Sequence, residues 1–316
     1  MSAASTRILS HFSRLCPSQK LRKCIRTAVF ARSLRTAYLV HTRRQRDAEI
    51  RLPGFAGTFR FRTGTSDARF IQMLANGYEF PEYRIPVPCK PRTILDIGAS
   101  IGVASIMFAQ RYPGTRIFSF EPLPELFDLL NHNVAAFSNI TPAPFGLGAK
   151  TEYRDYFRSG YLFNRSGGGF YSDGTGLFGR DGPHAGVEKV PVVAVPEAFD
   201  RYGIRSVDII KIDTEGAEYD ILTSIPDEIL DGVTVIVGEF HGTRNREIRE
   251  FLERRFCVDW EETHPVSADP HADGGIGVFR AIGRSGREPA STKPKEHPIR
   301  DLSPTATAYP ITAVGC

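Results

Sequence analysis

The sequence predicts an α/β protein with a doubly wound, mainly parallel β-sheet and an antiparallel pair of strands at one edge of that sheet. From residue 92 to residue 255, short apolar runs alternate with segments of helical periodicity. The last two apolar runs, at 256–262 and 276–282, are joined by a loop rich in Gly, Pro and Asp, which is typical of an antiparallel pair.

Each element follows from its local pattern. GTFRFR (57–62) alternates like a short strand, and residues 66–79 show helical spacing after a Ser-Asp cap. In the alternating region, strands are predicted at 93–97, 115–120, 139–144, 187–195, 207–212 and 233–240, and helices at 101–112, 123–136, 196–203, 216–224 and 244–255. Because such sheets bind ligands at the carboxyl ends of their strands, we expect site residues there.

The charge of the chain is unevenly distributed. Residues 1–46 contain 11 Lys and Arg and no Asp or Glu, whereas residues 47–283 contain 24 basic and 33 acidic residues. We divide the chain into a basic N-terminal arm (1–50), a folded domain (51–283) and a disordered tail (284–316) rich in Pro, Ser, Thr and Ala. The acidic domain disfavours nucleic acid as a partner, since phosphate binding requires positive charge.

The N-terminal arm allows three interpretations. Residues 18–46 carry apolar residues at helical spacing among Arg and Lys, which fits an accessory helix on the domain or a peripheral contact with anionic lipid. Residues 1–35 also have the composition of a mitochondrial targeting peptide, because they are rich in Arg and Ser and lack acids. The five scattered cysteines fit a reducing compartment, and we expect a cytoplasmic protein.

The first group of candidate site residues predicts a site for S-adenosylmethionine. In LDIGASIG (95–102), Asp96 ends a strand, and Gly98 and Gly102 let the backbone approach a ligand at a helix N-terminus. A carboxylate before this turn disfavours a pyrophosphate and suits a ligand with an ammonium group or a sulfonium. Glu121 ends the next strand, where an acid can accept hydrogen bonds from two ribose hydroxyls.

The second group lies at the ends of two later strands. IIKIDTEGAEYDIL (209–222) places Lys211 and Asp213 on one side of a strand, and this strand should adjoin the one that ends at Asp96. Helix capping explains the acids of this segment well, but it does not explain a lysine within an apolar strand. VIVGEFHG (235–242) places Glu239 and His241 on one side of the next strand.

These segments, together with FSFEPLPELFDLL (119–130), resemble the FkbM family of S-adenosylmethionine-dependent methyltransferases. The similarity covers roughly residues 57–282, and KID-x-EGAE is its most specific part. It implies a class I methyltransferase fold with a Rossmann-like sheet, S-adenosylmethionine as cofactor, and usually O-methylation of a sugar or secondary-metabolite hydroxyl. Transferred residue by residue, it assigns cofactor binding to Asp96, Gly98, Ala99, Ser100, Gly102 and Glu121, and the KID-x-EGAE acids to Asp213 and Glu215. Ser100 departs from the family pattern, which usually has Asn there.

Methylation of a hydroxyl requires a base, because a hydroxyl is a weak nucleophile. We assign Asp213, His241 and Lys211 to the catalytic group. Asp213 or His241 is the expected base, with Glu239 orienting His241 and Lys211 holding the Asp213 region in place. We assign no metal ligands, but the alternative is that Asp213, Glu215, Glu239 and His241 together bind a hard divalent cation.

The expected partner is a small-molecule or glycan hydroxyl acceptor. Residues 159–186 form a Gly-rich, aromatic insert that predicts a lid or a wall of the acceptor pocket. Phe170, Tyr171 and Phe178 are candidates to line that pocket, although simple loop packing explains them slightly better. Two other functions stay open, a nicotinamide-dependent oxidoreductase on a similar sheet and a non-catalytic binding module of the same fold.

Overall fold

The computed structural model describes residues 18–75, 84–85, 89–159, 168–170, 184–242, 244–265 and 275–284. The N-terminal part begins with helices α1 (Gln19–Phe30) and α2 (Leu34–His41), each capped by a serine side chain that accepts a backbone N–H. Strands β1 (Asp47–Ile50) and β2 (Phe59–Arg62) pair antiparallel, and helix α3 (Ser66–Ala75) follows. Tyr171, Phe178 and the tail from residue 285 lie outside the described residues.

A mixed sheet of seven strands forms the centre of the molecule. Its strands are β3 (Thr93–Ile97), β4 (Arg116–Phe120), β5 (Ile140–Ala143), β9 (Ile209–Ile212), β10 (Val235–Gly242), β11 (Phe256–Pro265) and β12 (Gly275–Gly283). Their order is β11-β12-β10-β9-β3-β4-β5. From β5 to β10 neighbouring strands are parallel, whereas β12 is antiparallel to both β10 and β11. The predicted doubly wound sheet with an antiparallel edge pair is therefore confirmed.

In the described part of the chain, six helices from α4 onward pack on this sheet, and both of its faces are buried. The helices are α4 (Val103–Arg111), α5 (Pro124–Val134), α6 (Val195–Tyr202), α7 (Glu218–Leu222), α8 (Asp227–Leu230) and α9 (Asn245–Glu253). Ile94 and Ile209 face one core with α4 and α5, whereas Leu95 and Ile210 face a second core with α6, α7 and α9. Successive strand residues thus enter opposite cores, which explains why these strands are almost continuously apolar.

One predicted strand lies in a different sheet from the one expected. The extended run at 187–195 becomes part of β8 (His184–Ala194), which belongs to a separate three-stranded sheet with β6 (Gly146–Gly148) and β7 (Glu152–Ser159). β8 pairs parallel with β6 and antiparallel with β7. Strand periodicity alone does not identify a pairing partner, so the sequence predicts the strand but not its sheet.

Helices α1 and α2 pack part of their surface against the domain. Ala31, Leu39 and Val40 are buried in the first core, which agrees with the accessory-helix interpretation of the arm. Leu34 and Tyr38 remain more than half exposed on the outer side of α2. No helix among the described residues is long and apolar enough to cross a lipid bilayer.

The topology places a crevice between β3 and β9. The chain leaves β3 toward β4 on one side and leaves β9 toward β10 on the other, so the connections diverge at the carboxyl ends of these two strands. Asp96 on β3 pairs in register with Lys211 on β9. The sequence-based expectation that these strands are neighbours is confirmed, and this divergence is where such sheets bind ligands.

The edge strands fix the position of β10, whose end carries Glu239 and His241. The Phe240 ring stacks on Trp260 of β11 with ring centroids 3.9 Å apart. Gly277 of β12 pairs with Phe240, and a Cβ atom there would be 2.3 Å from the Phe240 ring and 2.1 Å from the Glu261 carbonyl oxygen. Only glycine therefore fits between these strands.

We expect Gly277→Ala to lower the free energy of unfolding by about 3 kcal/mol, because the added methyl group overpacks the sheet. Gly232→Ala is the matched control, since a Cβ atom there meets only the Ile229 carbonyl oxygen, at 3.4 Å. Urea denaturation of both variants measures the difference. A Gly277→Ala variant as stable as the control would contradict this account of the edge.

Candidate active site

The turn after β3 touches the loop after β9 through backbone atoms. Gly98 adopts a φ angle of +79°, and a Cβ atom at this position would lie 1.8 Å from the Asp213 carbonyl oxygen. The Asp213 N–H donates a hydrogen bond to the Ile97 carbonyl oxygen at 3.0 Å. Glycine is therefore required at position 98 for contact with the Asp213 loop, and this contact fixes the two loops relative to each other.

The rest of the turn is shaped by positive φ angles and by packing. Ser100 has a φ angle of +49°, a conformation that Asn tolerates better than Ser, so the departure from the family pattern falls at a strained position. Gly102 has a φ angle of +87°, and a Cβ atom there would lie 2.8 Å from the Leu130 side chain of α5. Ala99 is buried, and its N–H donates to the Phe120 carbonyl oxygen.

Glu121 follows β4 and joins the turn of residues 98–102, here called the glycine turn, to the start of α5. One oxygen of its carboxylate accepts the Ser100 N–H at 2.8 Å, and the other accepts the Leu123 N–H at 2.9 Å. Burial raises the pKa of Glu121 to about 7, although these two hydrogen bonds oppose the shift. Each oxygen keeps a second lone pair, so Glu121 can still accept hydrogen bonds from a ligand.

Asp96 faces the interior beneath the glycine turn and forms a buried ion pair with Lys211. The Asp96 Oδ1 atom lies 3.2 Å from the Lys211 ammonium nitrogen, and the Ser105 hydroxyl donates to the Asp96 Oδ2 atom at 2.5 Å. Lys211 also donates to the Gly98 carbonyl oxygen at 2.6 Å. Burial alone would lower the pKa of Lys211, but Asp96 and Asp213 outweigh it and raise that pKa.

This ion pair changes the roles that the sequence predicted for two residues. Asp96 is fully buried, and its carboxylate faces Lys211 and Ser105, so it is not placed to contact the ammonium group of a ligand directly. Lys211 is also buried, which is inconsistent with its assignment as a catalytic residue. Lys211 holds the Gly98 carbonyl oxygen and Asp96 in place. Lys211 and Asp96 therefore position the glycine turn from the interior of the sheet.

Three potential proton acceptors converge beyond this turn. Ligand atoms of Asp213, Glu239 and His241 all lie within 4.8 Å of one another. Asp213 and Glu239 are partly exposed, whereas the His241 side chain is 1% exposed. The His241 Nε2 atom lies 3.5 Å from Glu215 Oε2 and 3.7 Å from Glu239 Oε2, and it has no hydrogen-bond partner among the described residues.

Glu218, which the sequence analysis treated only as a capping residue, orients His241. Its Oε1 atom lies 3.1 Å from the His241 Nδ1 atom. The same carboxylate accepts the backbone N–H groups of Thr214 and Gly216. Glu218 therefore orients the imidazole through Nδ1, whereas Glu239 lies 3.7 Å from Nε2 on the other side of the ring, and its expected orienting role stays a prediction. The signal in the sequence was the last acid of the KID-x-EGAE string.

The acids around His241 alter one another's ionisation. Burial alone would lower the pKa of His241, but Glu215 and Glu218 outweigh it and raise that pKa well above its usual range. Burial raises the pKa of Glu215 to about 7, with Asp213 and Glu218 adding to the shift and His241 opposing it. The cluster is therefore an assembly of acids around one imidazole, and each group affects the charge of the others.

A short part of the Gly-rich insert contacts this cluster from the smaller sheet. Gly169 forms an antiparallel bridge with Phe157, and a Cβ atom on Gly169 would lie 2.6 Å from the Glu215 carbonyl oxygen. The Tyr156 hydroxyl donates to the Gly168 carbonyl oxygen at 2.6 Å. Burial, followed by the carboxylates of Glu215, Glu121 and Asp213, raises the pKa of Tyr156 well above its usual range. Tyr156, which the sequence analysis missed, therefore lies close to both groups of acids.

Phe170 packs within the smaller sheet. Its ring makes an edge contact with Tyr156, with centroids 5.4 Å apart, and the Arg154 guanidinium lies 4.8 Å from its centroid. This arrangement agrees with the loop-packing interpretation of Phe170.

Comparison with known families identifies the chain. A sequence model described as the methyltransferase FkbM domain matches residues 96–257, about half of the chain. The chain belongs to the FkbM methyltransferase family. The match includes the glycine turn, Glu121, the KID-x-EGAE string and His241, so the resemblance noted in the sequence is confirmed.

Two curated proteins are similar to this FkbM methyltransferase over part of their length. Methyltransferase sdnD of Sordaria araneosa is 27% identical over 168 residues, which cover 46% of this chain and 65% of that protein. The AMB antimetabolite synthetase AmbE of Pseudomonas aeruginosa is 26% identical over 181 residues, which cover 48% of this chain and 8% of that protein. The chain therefore spans less than two thirds of the length of either relative.

Solved structures of methyltransferases are also similar. The methyltransferase FkbM of Methylobacillus flagellatus has a TM-score of 0.41 and 14% identity, covering 69% of this chain and 54% of that one. The O-methyltransferase TomG of Streptomyces achromogenes has a TM-score of 0.34 and 14% identity, covering 61% and 74%.

The cofactor of this FkbM methyltransferase is S-adenosylmethionine, and the residues at the carboxyl ends of β3 and β4 fit it. The glycine turn presents backbone without side chains, and the Ser100 hydroxyl is buried with no hydrogen-bond partner among the described residues. The carboxylate of Glu121 keeps lone pairs of the kind that ribose hydroxyls require as acceptors. The surrounding charge is acidic, which suits a cationic methyl donor.

We expect Lys211→Met to lower the free energy of unfolding by about 3–5 kcal/mol, because it leaves the Asp96 carboxylate buried without its cation. Lys189→Met is the control, since Lys189 forms an exposed ion pair with Asp155 that contributes less than about 1 kcal/mol. Urea denaturation measures both losses. Equal losses in the two variants would show that the buried pair does not stabilise the site.

Proposed function

We propose that this methyltransferase transfers the methyl group of S-adenosylmethionine to a hydroxyl of a sugar, glycan or secondary metabolite. The observation that carries this proposal is the convergence of Asp213, Glu239 and His241 at the ends of β9 and β10, directly beside the glycine turn. When bound, S-adenosylmethionine supplies an electrophilic methyl group. An acceptor that approaches it from this side meets groups able to take a hydroxyl proton.

Asp213 is better placed than His241 to be the base. Asp213 is partly exposed, and its carbonyl group touches the glycine turn that would hold the methyl donor. His241 is almost fully buried, and Glu218 fixes its Nδ1 atom. We therefore infer that Asp213 accepts the proton of the acceptor hydroxyl and that His241 keeps the surrounding carboxylates in position.

Residues 168–170 of the insert and the smaller sheet are placed to enclose one side of an acceptor pocket. Methyl transfer depends on orientation of the acceptor and exclusion of competing water. Residues 168–170 and Tyr156 cover the Glu215 side of the cluster. The name of the P. aeruginosa relative, an antimetabolite synthetase, is consistent with an acceptor from secondary metabolism.

The rival functions differ in what they would do with a labelled cofactor. The family match is to methyltransferases, so it disfavours a nicotinamide-dependent oxidoreductase. A non-catalytic binding module of the same fold would bind S-adenosylhomocysteine but transfer no methyl group. The protein is incubated with S-adenosylmethionine that carries a labelled methyl group and with a panel of glycan and lipid-linked hydroxyl acceptors. Label in an acceptor indicates a methyltransferase, whereas a binding module transfers none.

With a responsive acceptor, we expect Asp213→Asn to lower kcat by roughly 100-fold or more, because general-base catalysis contributes about that factor. Its affinity for S-adenosylhomocysteine should change less than threefold, roughly the limit of a small indirect effect. Glu261→Gln, an exposed change on β11, is the control and should retain full activity. An Asp213→Asn enzyme with unchanged kcat would remove Asp213 from the mechanism.

We expect the affinity for S-adenosylhomocysteine to fall as the pH drops below 7. Ribose hydroxyls donate to the ionised form of Glu121, whose pKa is about 7 in the free protein, so binding at lower pH must first release a proton. The dissociation constant should rise about tenfold per pH unit below that value. Calorimetry at several pH values between about 5.5 and 8.5, on both sides of the Glu121 pKa, measures this dependence. Glu121→Gln should bind more weakly at pH 8 and show no such slope, whereas a slope that survives in this variant would assign the proton to another group.

A further inference from the structure

We propose that Asp213, Glu239 and His241 form a binding site for a hard divalent cation of the Mg²⁺ or Mn²⁺ class. Metal binding follows from the geometry alone, whereas the catalytic role of the ion rests on the proposed function. The three side chains come from the ends of neighbouring parallel strands β9 and β10, so the sheet itself brings them together.

The distances in this cluster are close to those of a coordination sphere. The ligand atoms of the three side chains lie within 4.8 Å of one another. Metal–ligand bonds of roughly 2.1 Å place opposite ligands of one ion about 4.2 Å apart, so two atoms need to move only about 0.3 Å each. Asp213 and Glu239 are partly exposed, which leaves a route for the ion.

His241 supplies an independent indication of a ligand. Its Nε2 atom is buried and has no hydrogen-bond partner among the described residues, and carboxylate oxygens of Glu215 and Glu239 lie 3.5 and 3.7 Å away. Those distances exceed an ordinary hydrogen bond. A buried ring nitrogen directed at carboxylates without bonding to them is suited to share an ion with them.

The other ring nitrogen is held as it is in metal-binding histidines. The Glu218 carboxylate lies 3.1 Å from Nδ1, and Glu218 is in turn fixed by the backbone N–H groups of Thr214 and Gly216. A carboxylate that accepts the Nδ1 proton leaves Nε2 as the nitrogen that a metal can bind, and it raises the basicity of that nitrogen. Because the acids also favour a protonated ring, the ion displaces the Nε2 proton when it binds. Glu218 therefore serves as the supporting residue of the site.

The charge of the cluster also favours a cation. Four carboxylates, those of Asp213, Glu215, Glu218 and Glu239, surround a single imidazole. The buried ammonium group of Lys211 pairs with Asp96 and also interacts electrostatically with Asp213 and Glu239, so it offsets part of this negative charge and leaves an excess of carboxylates. Carboxylate oxygens with one imidazole nitrogen suit Mn²⁺ or Mg²⁺ better than a softer metal, whose sites contain thiolates.

The ion would bind the acceptor oxygen and acidify its hydroxyl. The O–H bond then breaks, and the proton goes to the Asp213 oxygen that does not bind the metal. The acceptor oxygen forms a bond to the methyl carbon, while the carbon–sulfur bond breaks and its electron pair stays on the sulfur of S-adenosylhomocysteine. No oxidant or further reactant is needed.

Manganese titration of the metal-stripped full chain tests this site without cofactor or acceptor. Electron paramagnetic resonance should show one saturable Mn²⁺ site, and the spin-echo modulation should contain a directly bound imidazole nitrogen. Asp213→Asn and Glu239→Gln should each weaken binding at least tenfold, about the effect of losing a ligand or its support. Glu228→Gln, an exposed change on α8 before β10 begins, should bind like the unmodified protein.

Three results would overturn the site: no saturable Mn²⁺ binding, binding without a nitrogen signal, or binding that survives both carboxylate changes. Each would mean that the cluster is a metal-free assembly in which His241 neutralises the acids. Calorimetry with S-adenosylhomocysteine on the same preparation separates the two proposals. Mn²⁺ binding without cofactor affinity overturns the proposed function alone, and cofactor affinity without Mn²⁺ binding overturns the metal site alone.

Discussion

The buried ion pair between Lys211 and Asp96 is the interaction on which the rest of the site depends. It connects β3 and β9 at the point where the chain diverges to either side of the sheet. The same ammonium group holds the Gly98 carbonyl oxygen, and Gly98 in turn touches the Asp213 loop. A buried pair of this kind contributes little net stability, but loss of one partner leaves an isolated charge in the core. Its role is therefore to set the position of the glycine turn relative to Asp213, Glu239 and His241.

The site separates two groups of acids, and the proposed function assigns them to different parts of one ligand. Glu121 stands at the end of β4, on the side proposed for the ribose, whereas Asp213 and Glu239 lie beyond the glycine turn, on the side proposed for the reactive methyl group. Burial raises the pKa of Glu121 to about 7, so its charge is sensitive to what occupies the site. A cationic donor between acidic groups is electrostatically favoured, and it is consistent with the acidic domain that the sequence revealed.

The sequence predicted which residues gather at the site better than it predicted what they do there. Strand ends and parallel topology were enough to place Asp213 and His241 near the glycine turn. The direction of Asp96 depended on its partner in the neighbouring strand, and register with Lys211 cannot be read from one strand alone. The contact of Glu218 with His241 depended on a short loop whose backbone donors bind Glu218, which no periodicity encodes.

The loop after β9 is held in a conformation that its own residues do not favour. Glu215 adopts a φ angle of +55°, which costs a non-glycine residue roughly 1–3 kcal/mol. Hydrogen bonds from the loop backbone to Glu218 and the close contact with Gly169 hold it there. Gly169, which is bridged to the smaller sheet, therefore also contacts the backbone of Glu215 and restricts the loop that carries the acids. A loop fixed from two sides keeps carboxylates together before any ligand arrives, and such preorganisation is what a group-transfer site requires.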